Sequence, residues 1–367
     1  MRCHSRREEA FTAPLHGVND PLTLSDDPRR MRIALVSDSF PPAADPPAES
    51  ARHIADALIA AGHEVLVVTT TAGNDTYRNA RVQRARALFS VTALRRSVAE
   101  FGPDVVQFLS PRTLGAAAMR ALEHTGIPLV VLDPTPLHPR IGWVLTSSHA
   151  GARVLGTAGV HARVWRPGVR TDEHHPGLRC EELHDRWARV GRPGGPLAVV
   201  GYVGPVGPST TRATRRLAQI ASLPGARLVV LGSGPGAGHL RGHGAKVVAD
   251  GGGLEQARAI ASFDLLVQPR KHDVALTPVR KALASGVPVV AFQTGAAAEV
   301  IRSGHNGLLV ASDAGPAGLT LAVEHLSADA ALRATLACRA RASVSDRTWA
   351  DAVAELVAYY EPKLKAV

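Results

Sequence analysis

Aromatic side chains are scarce: Phe, Trp and Tyr together make up 4% of the 367 residues. The cores must therefore be filled by Ala, Val, Leu and Ile, within a hydrophobic content of 45%. The same scarcity argues against a single-strand nucleic-acid binder, which stacks bases on aromatics set among clustered cations. Cysteine is scarcer still. Cys3, Cys180 and Cys338 lie far apart and form no C-x-x-C pair, so neither a disulfide framework nor a zinc site is indicated. A reducing, cytoplasmic setting is the expectation. No apolar run reaches the roughly 20 residues that a membrane-spanning helix needs. Residues 1–30 are charged and lack an apolar centre, so they do not read as a secretory signal. They read as a disordered extension, and Met31-Arg32-Ile33 opens the first strand naturally. Acidic residues are outnumbered, 32 against 42 Lys and Arg, giving a net charge of +10. That excess favours anionic partners such as phosphates or an acidic membrane face. Arg dominates Lys while Ala, Gly and Pro abound, a bias in composition, and no nucleic-acid role is expected.

What is present is a regular alternation. The length fits two domains rather than one. Ile33 to Asp38 is a short run of strand formers, followed by a Pro-rich loop from Phe40 to Pro47. Glu49 to Ala61 then has helical spacing, with Ile54, Leu58 and Ile59 on one face. Gly62-His63-Glu64 ends that helix, and Val65 to Val68 is the next strand. A strand-helix-strand unit with strands apolar throughout implies a parallel sheet covered on both faces. Strands at Asp104–Phe108, Ile127–Leu132, Trp143–Thr146 and Ala162–Trp165 continue the pattern. Helices at Leu114–Glu123 and Ala150–Leu155 lie between them, the second with Ser147-Ser148 at its N-cap position. A stretch rich in Pro, Gly, His and charge runs from Arg166 to Pro196, with a short helix at Glu181–Trp187.

The alternation then restarts. Strands are expected at Leu197–Val203, Ala226–Leu231, Lys246–Ala249, Leu265–Gln268 and Val289–Phe292. Helices are expected at Thr211–Ala221, Leu254–Ser262 and Thr277–Ser285. The tail is helical at Pro316–Leu326, Ala328–Ala342 and Thr348–Tyr360. Two doubly wound α/β units follow, divided as 31–170, a linker at 171–195, 196–345, and a C-terminal helix in 346–367 packing back on the first unit. In open α/β sheets ligands bind at the carboxyl ends of the strands, so the cleft between the halves is the expected site.

Several strings carry a more specific signal. They are Ile33-Ala34-Leu35-Val36-Ser37-Asp38-Ser39-Phe40-Pro41-Pro42, the linker Val164 to Pro176, Gly201-Tyr202-Val203-Gly204 and Leu228 to Pro235. Lys281 to Ala291 matches "EALASGxPVVA" apart from its first residue, and Asn306-Gly307-Leu308-Leu309-Val310 matches an "NGLLV" turn. Taken together, in colinear order from about Met31 to Tyr360, they resemble the retaining nucleotide-sugar glycosyltransferases of family four, especially actinobacterial mannosyltransferase-like members. The resemblance implies the GT-B fold: two Rossmann-like domains facing across a cleft.

It also implies what the site should hold. A sugar nucleotide carries a pyrophosphate in its leaving group, whose growing charge is stabilised by fixed cations and helix N-termini. Its hydroxyl pairs suit carboxylate acceptors. The family supplies an Arg and a Lys after the first donor-domain strand, and two Glu with seven residues between them. By colinear match these fall at Pro205, Thr210, Asp273 and Lys281. Pro205 donates nothing and Thr210 carries no charge. Asp273 is a shorter carboxylate within reach of a hydroxyl, whereas Lys281 has three donors and no acceptor. The family's paired glycines become Gly295-Ala296. Its N-terminal-loop glycine falls at Pro46, which lacks an N–H and fixes φ. Asp133-Pro134-Thr135 stands where a His or other polar residue is common, and Pro136 to Gly142 is short.

Three readings compete. In the first, the chain transfers a hexose, mannose by resemblance, from a nucleoside diphosphate sugar with retention. The acceptor is a lipid-linked or small alcohol, met peripherally at the inner membrane face. Asp273 then holds a donor hydroxyl, and Lys281 with Arg270 faces phosphate charge. Gly204, Thr210, Gly234, Gly295 and Ala296 line the donor side, with Pro46 and Asp133 on the acceptor side. The nucleotide sugar is a co-substrate; no separate cofactor and no metal are expected, because no carboxylate pair has metal spacing. In the second, losses on both sides of the cleft leave a pseudoenzyme acting as a protein partner or sensor. The third is a dinucleotide oxidoreductase, but Gly232-x-Gly234-x-Gly236-x-Gly238 does not fit G-x-G-x-x-G. Structural roles are expected elsewhere. Arg212, Arg215 and Arg216, like Arg52 and His53, read as solvated helix faces. His174-His175 reads as surface, and Trp165, Trp187 and Trp349 as packing residues.

Overall fold

The computed structural model describes residues 30–43, 45–84, 91–109, 111, 113–134, 143–191, 193–271 and 276–364. The first half runs β1 (Arg32–Ser37), α1 (Pro46–Ala60), β2 (Glu64–Thr69), β3 (Thr76–Tyr77), β4 (Ala80–Arg84) and α2 (Val91–Phe101). It continues with β5 (Val105–Leu109), α3 (Thr113–Leu122), β6 (Leu129–Leu132), β7 (Trp143–Thr146), α4 (His149–Thr157) and β8 (Ala162–Val164). These strands form one eight-stranded sheet, ordered β3-β4-β2-β1-β5-β6-β7-β8. Its pairings are parallel except for the β3–β4 edge.

The second half holds α5 (Glu181–Ala188), β9 (Ala198–Val203), α6 (Arg212–Ala221), β10 (Ala226–Leu231), α7 (Ala237–Gly242), β11 (Lys246–Val248) and α8 (Gly253–Ala261). Then come β12 (Leu265–Gln268), α9 (Thr277–Ala284), β13 (Val289–Phe292), α10 (Gly295–Val300), β14 (Gly307–Val310), α11 (Gly315–Ala328), α12 (Ala330–Ala340) and α13 (Trp349–Leu364). Its sheet is six-stranded and wholly parallel, in the order β11-β10-β9-β12-β13-β14. The central strands of each sheet are buried on both faces, as their unbroken apolar runs require. Ile33 and Leu35 enter one core layer and Ala34 and Val36 the other. Among the described residues no helix is long and apolar enough to cross a membrane.

Some expectations need correction. The loop predicted to reach Pro47 ends at Asp45, whose carboxylate caps α1 by accepting from the Ala48 amide at 2.8 Å. Pro46 is therefore a helix residue, placed where its missing N–H has no partner to lose. The "NGLLV" turn is in fact the edge strand β14. Asn306 makes the turn before it, accepting from the Arg302 amide and donating to the Val300 carbonyl and the Ser343 hydroxyl. The hairpin β3–β4 and helix α2 had no counterpart in the sequence reading. Ala80-Arg81-Val82-Gln83-Arg84 is polar at alternate positions, as an edge strand is, and carries no long apolar run.

The chain crosses between the sheets twice, at Trp165–Arg170 and again at Val344–Thr348. The two crossings lie side by side: the Val169 amide donates to the Arg347 carbonyl at 3.2 Å. A Cβ on Gly168 would sit 2.4 Å from backbone atoms of Thr348 and Trp349, so only glycine fits there. After the second crossing, α13 returns to the first sheet. Trp349, Val353, Leu356 and Tyr360 join its core against Ile54 and Leu58 of α1. The Trp165 indole donates to the Ala352 carbonyl at 2.6 Å, and the Tyr360 hydroxyl to Gln107 at 2.9 Å.

Candidate functional site: the cleft between the two sheets

At the carboxyl ends of β9 and β10 two loops lie backbone on backbone. Gly204 and Val206 donate their amides to the Leu231 and Ser233 carbonyls, each at 2.9 Å. Gly232 and Gly234 hold φ of +152° and +144°. A Cβ on either would lie about 2 Å from a carbonyl oxygen, that of Gly204 or of Val206. The glycine cluster thus serves close backbone packing, with Gly204 and Gly234, expected on the donor side, at its centre. Pro205, which has no N–H, presents its carbonyl instead: Arg270 donates to it at 2.8 Å and Tyr202 at 3.0 Å. Arg270 is exposed at the end of β12, a cation standing over the loop. Thr210 is exposed one residue ahead of Thr211, the N-cap of α6.

Lys281 is placed differently from the expectation that it faces phosphate charge. It lies within α9, 5% exposed, and its ammonium reaches across the cleft to the Glu49 carboxylate in the first turn of α1. It also donates to Gln256 Oε1 of α8. Gln256 Nε2 donates in turn to Asp250 at 2.7 Å, in the loop after β11. Glu49 meets His53 Nε2 at 3.5 Å, and the His53 ring stacks on Trp349 at 5.0 Å. Burial pushes the Glu49 carboxyl up, but the His53 hydrogen bond and the Lys281 charge outweigh it and hold the group at about 2. His174, 3% exposed in the linker, is pushed down to about 3 by burial and then by Lys281.

A second contact crosses the cleft at α10. Glu299 accepts from the His149 and Ala150 amides, at 3.0 and 2.9 Å, at the start of α4. A carboxylate there meets unsatisfied N–H groups and the positive end of the helix. Gly295 abuts the same helix, with Ala150 Cβ only 2.5 Å from where its own Cβ would be, and Ala296 is buried beside it.

Of the residues expected on the acceptor side, Asp133 holds φ of +48° and accepts from Thr146 Oγ1, the Ser147 amide and Ser147 Oγ. It therefore joins the ends of β6 and β7. Asp273 lies outside the described residues, as does Pro136 to Gly142. Three expected solvated positions are buried. Arg216 donates to the Pro269 carbonyl at 2.8 Å and lies over the Phe292 ring, whereas Arg212 and Arg215 are exposed. His53 and His174 belong to the cleft cluster, and Arg52 bridges Asp56 and Glu173, each at 3.5 Å. Glu49, Gln256 and Glu299 escaped the sequence reading. Glu49 looks like an ordinary first-turn acid, and nothing in the string links it to a lysine 232 positions on. Among the described residues one trio, Glu181, His184 and Asp185, has metal-like spacing. His184 is already engaged with Asp264 at 3.2 Å.

Both histidine and carboxylate shifts give a sign to acid sensitivity. His174 is neutral in the fold down to about pH 3, while its unfolded counterpart protonates near its ordinary 6.5. The unfolded chain binds the extra proton, so stability is full above 6.5 and is lost as pH falls toward 3. Glu49 adds a loss in the same direction between 4.5 and about 2. His174→Gln should flatten the melting-temperature profile between pH 6.5 and 4, by on the order of a few kcal/mol at the acid end. An unchanged slope in a calorimetric pH series would refute that assignment.

Comparison with known proteins follows the same outline. A family model described as "Glycosyl transferases group 1" matches residues 199–329, and one described as "Glycosyltransferase Family 4" matches residues 48–133. A GDP-mannose-dependent alpha-mannosyltransferase of Mycolicibacterium smegmatis is 30% identical, over 91% of this chain and 98% of the relative. Its Mycobacterium tuberculosis namesake is 30% identical over 90% and 96%. Among solved structures, sucrose-phosphate synthase of Thermosynechococcus elongatus has a TM-score of 0.73 at 18% identity, covering 92% of this chain and all of that one. Anabaena HepE, solved with UDP-glucose, has a TM-score of 0.72 at 16% identity with the same coverage. At these identities the structural likeness speaks for the GT-B fold alone.

Proposed function

Because this chain belongs to the mannosyltransferase-like family 4 glycosyltransferases, we propose that its cleft transfers mannose from GDP-mannose, with retention, to a lipid-linked or small alcohol acceptor. The observation that carries the proposal is the 30% identity, over nearly the full length of both chains, to alpha-mannosyltransferases that depend on GDP-mannose. An α product from an α-linked donor is net retention. The glycine loops after β9 and β10, packed backbone on backbone, fix the rim of the cleft beneath Arg270. Arg270, exposed above them, supplies positive charge where the β-phosphate of the leaving GDP gains its negative charge. Thr210 offers a hydroxyl, and Asp273 an acceptor for a donor hydroxyl. Gly295 and Ala296 bring α10 to the sugar side, and Asp133 orders the opposite rim. The basic excess favours an acidic membrane surface as the meeting place with a lipid acceptor.

Calorimetric titration of residues 31–367 against GDP, UDP and ADP and their sugar conjugates tests this reading. Micromolar affinity confined to GDP and GDP-mannose is the expected result. Binding to UDP or ADP instead reassigns the donor. A folded protein that binds none of the six turns the reading to an inactive relative that acts through a protein partner.

A further inference from the structure

We propose that Glu49 is a positioning residue: paired with Lys281, it forms an ionic clasp that sets the register in which the two domains close. Lys281 is 5% exposed, and among the described residues of its own domain the groups around its ammonium are neutral or one step removed. Gln256 accepts from it, while Asp250 bonds Gln256 rather than the lysine. The linker adds His174, held neutral by its surroundings. The balancing charge comes from the other domain, on Glu49, whose side chain is 18% exposed and whose own neighbour is His53. Among the described residues, each ion thus meets a full counter-charge only when the domains meet in this register.

A buried pair of this kind adds little net energy, because dehydration offsets attraction. Removing one partner is different, since it leaves a bare charge in the interface. The pair therefore discriminates against misaligned closure more than it drives closure. The contact of Glu299 with α4 provides a second, charge-to-dipole anchor on the same interface, and α1 and α4 are held at separate points.

The test uses the whole chain and needs no donor. Glu49→Gln, Lys281→Glu and the exchange Glu49→Lys/Lys281→Glu are compared by small-angle X-ray scattering and by transfer kinetics. Each single variant should open, with a larger radius of gyration and a kcat lowered roughly tenfold or more. The exchange should return both quantities toward the parent, which a merely local packing role would not do. Unchanged dimensions in both single variants, or an exchange as open as either, overturn the proposal. So does a Glu49→Gln protein that stays closed but loses nucleotide affinity, because Glu49 would then contact the donor directly. The scattering arm stands even if the titration of the parent chain identifies no donor.

Discussion

Gly234→Ala should cost about 3–5 kcal/mol of stability and weaken nucleotide binding roughly tenfold or more. Two effects combine. The residue holds φ of +144°, a region that side-chain-bearing residues enter at a cost of about 1–3 kcal/mol. Its new methyl would sit 2.0 Å from the Val206 carbonyl oxygen, which belongs to the neighbouring loop. A backbone oxygen cannot rotate away as a side chain can, so the loops after β9 and β10 must part. Their separation also moves the Pro205 carbonyl that anchors Arg270. Gly238→Ala is the matched control: it lies in α7 with nothing within 4 Å of the new Cβ. It should be neutral or gain about 0.5–1 kcal/mol, since alanine suits a helix better. Calorimetric melting and GDP titration of the two variants check both claims, and equal melting temperatures would refute the packing account.

Trp349→Ala should destabilise the first domain by about 3–5 kcal/mol. The side chain is buried between the domains' crossing point and the first core, stacked on His53 and tilted against Trp165 at 6.3 Å. Truncation leaves a cavity bounded by two aromatic rings and by the backbone crossing at Gly168, none of which can collapse freely. It also frees His53, which borders the Glu49–Lys281 pair. Leu321→Ala, on an exposed position of α11, should shift stability by no more than about 0.5 kcal/mol. The two melting curves, read by circular dichroism, decide the matter: a Trp349→Ala transition within a degree of the Leu321→Ala one would contradict it.

The strands and most helices were legible because both domains are built from short apolar runs that have no other stable use than a sheet buried on both faces. Ile33–Val36, Val289–Phe292 and the Gly-flanked helices between them declare themselves locally. The edge hairpin β3–β4 did not, because edge strands carry polar side chains and resemble loops. The candidate site was less legible: Gly204 and Gly234 were singled out as donor-side positions, but that they and Gly232 mark a close approach of two loops is seen only in the structure. Lys281 was found, yet its partner was not, since a lysine in a string says nothing about which acid will meet it. The same limit hid the burial of Arg216 and His174. A helical wheel counts charge as outward, whereas Arg216 lies over the Phe292 ring, and a polar linker stretch gives no sign that His174 is buried.

The return of α13 bears on how the chain is made. Trp349, Val353, Leu356 and Tyr360 are synthesised long after Met31, yet they complete the core that Met31 belongs to. During synthesis the face of α1 carrying Ile54 and Leu58 has no permanent cover, even after its own sheet is assembled. The second domain, by contrast, has its strands and helices in hand once α12 has emerged. Of these two domains, the one translated first is therefore the one completed second, and its apolar α1 face stays uncovered until α13 has emerged.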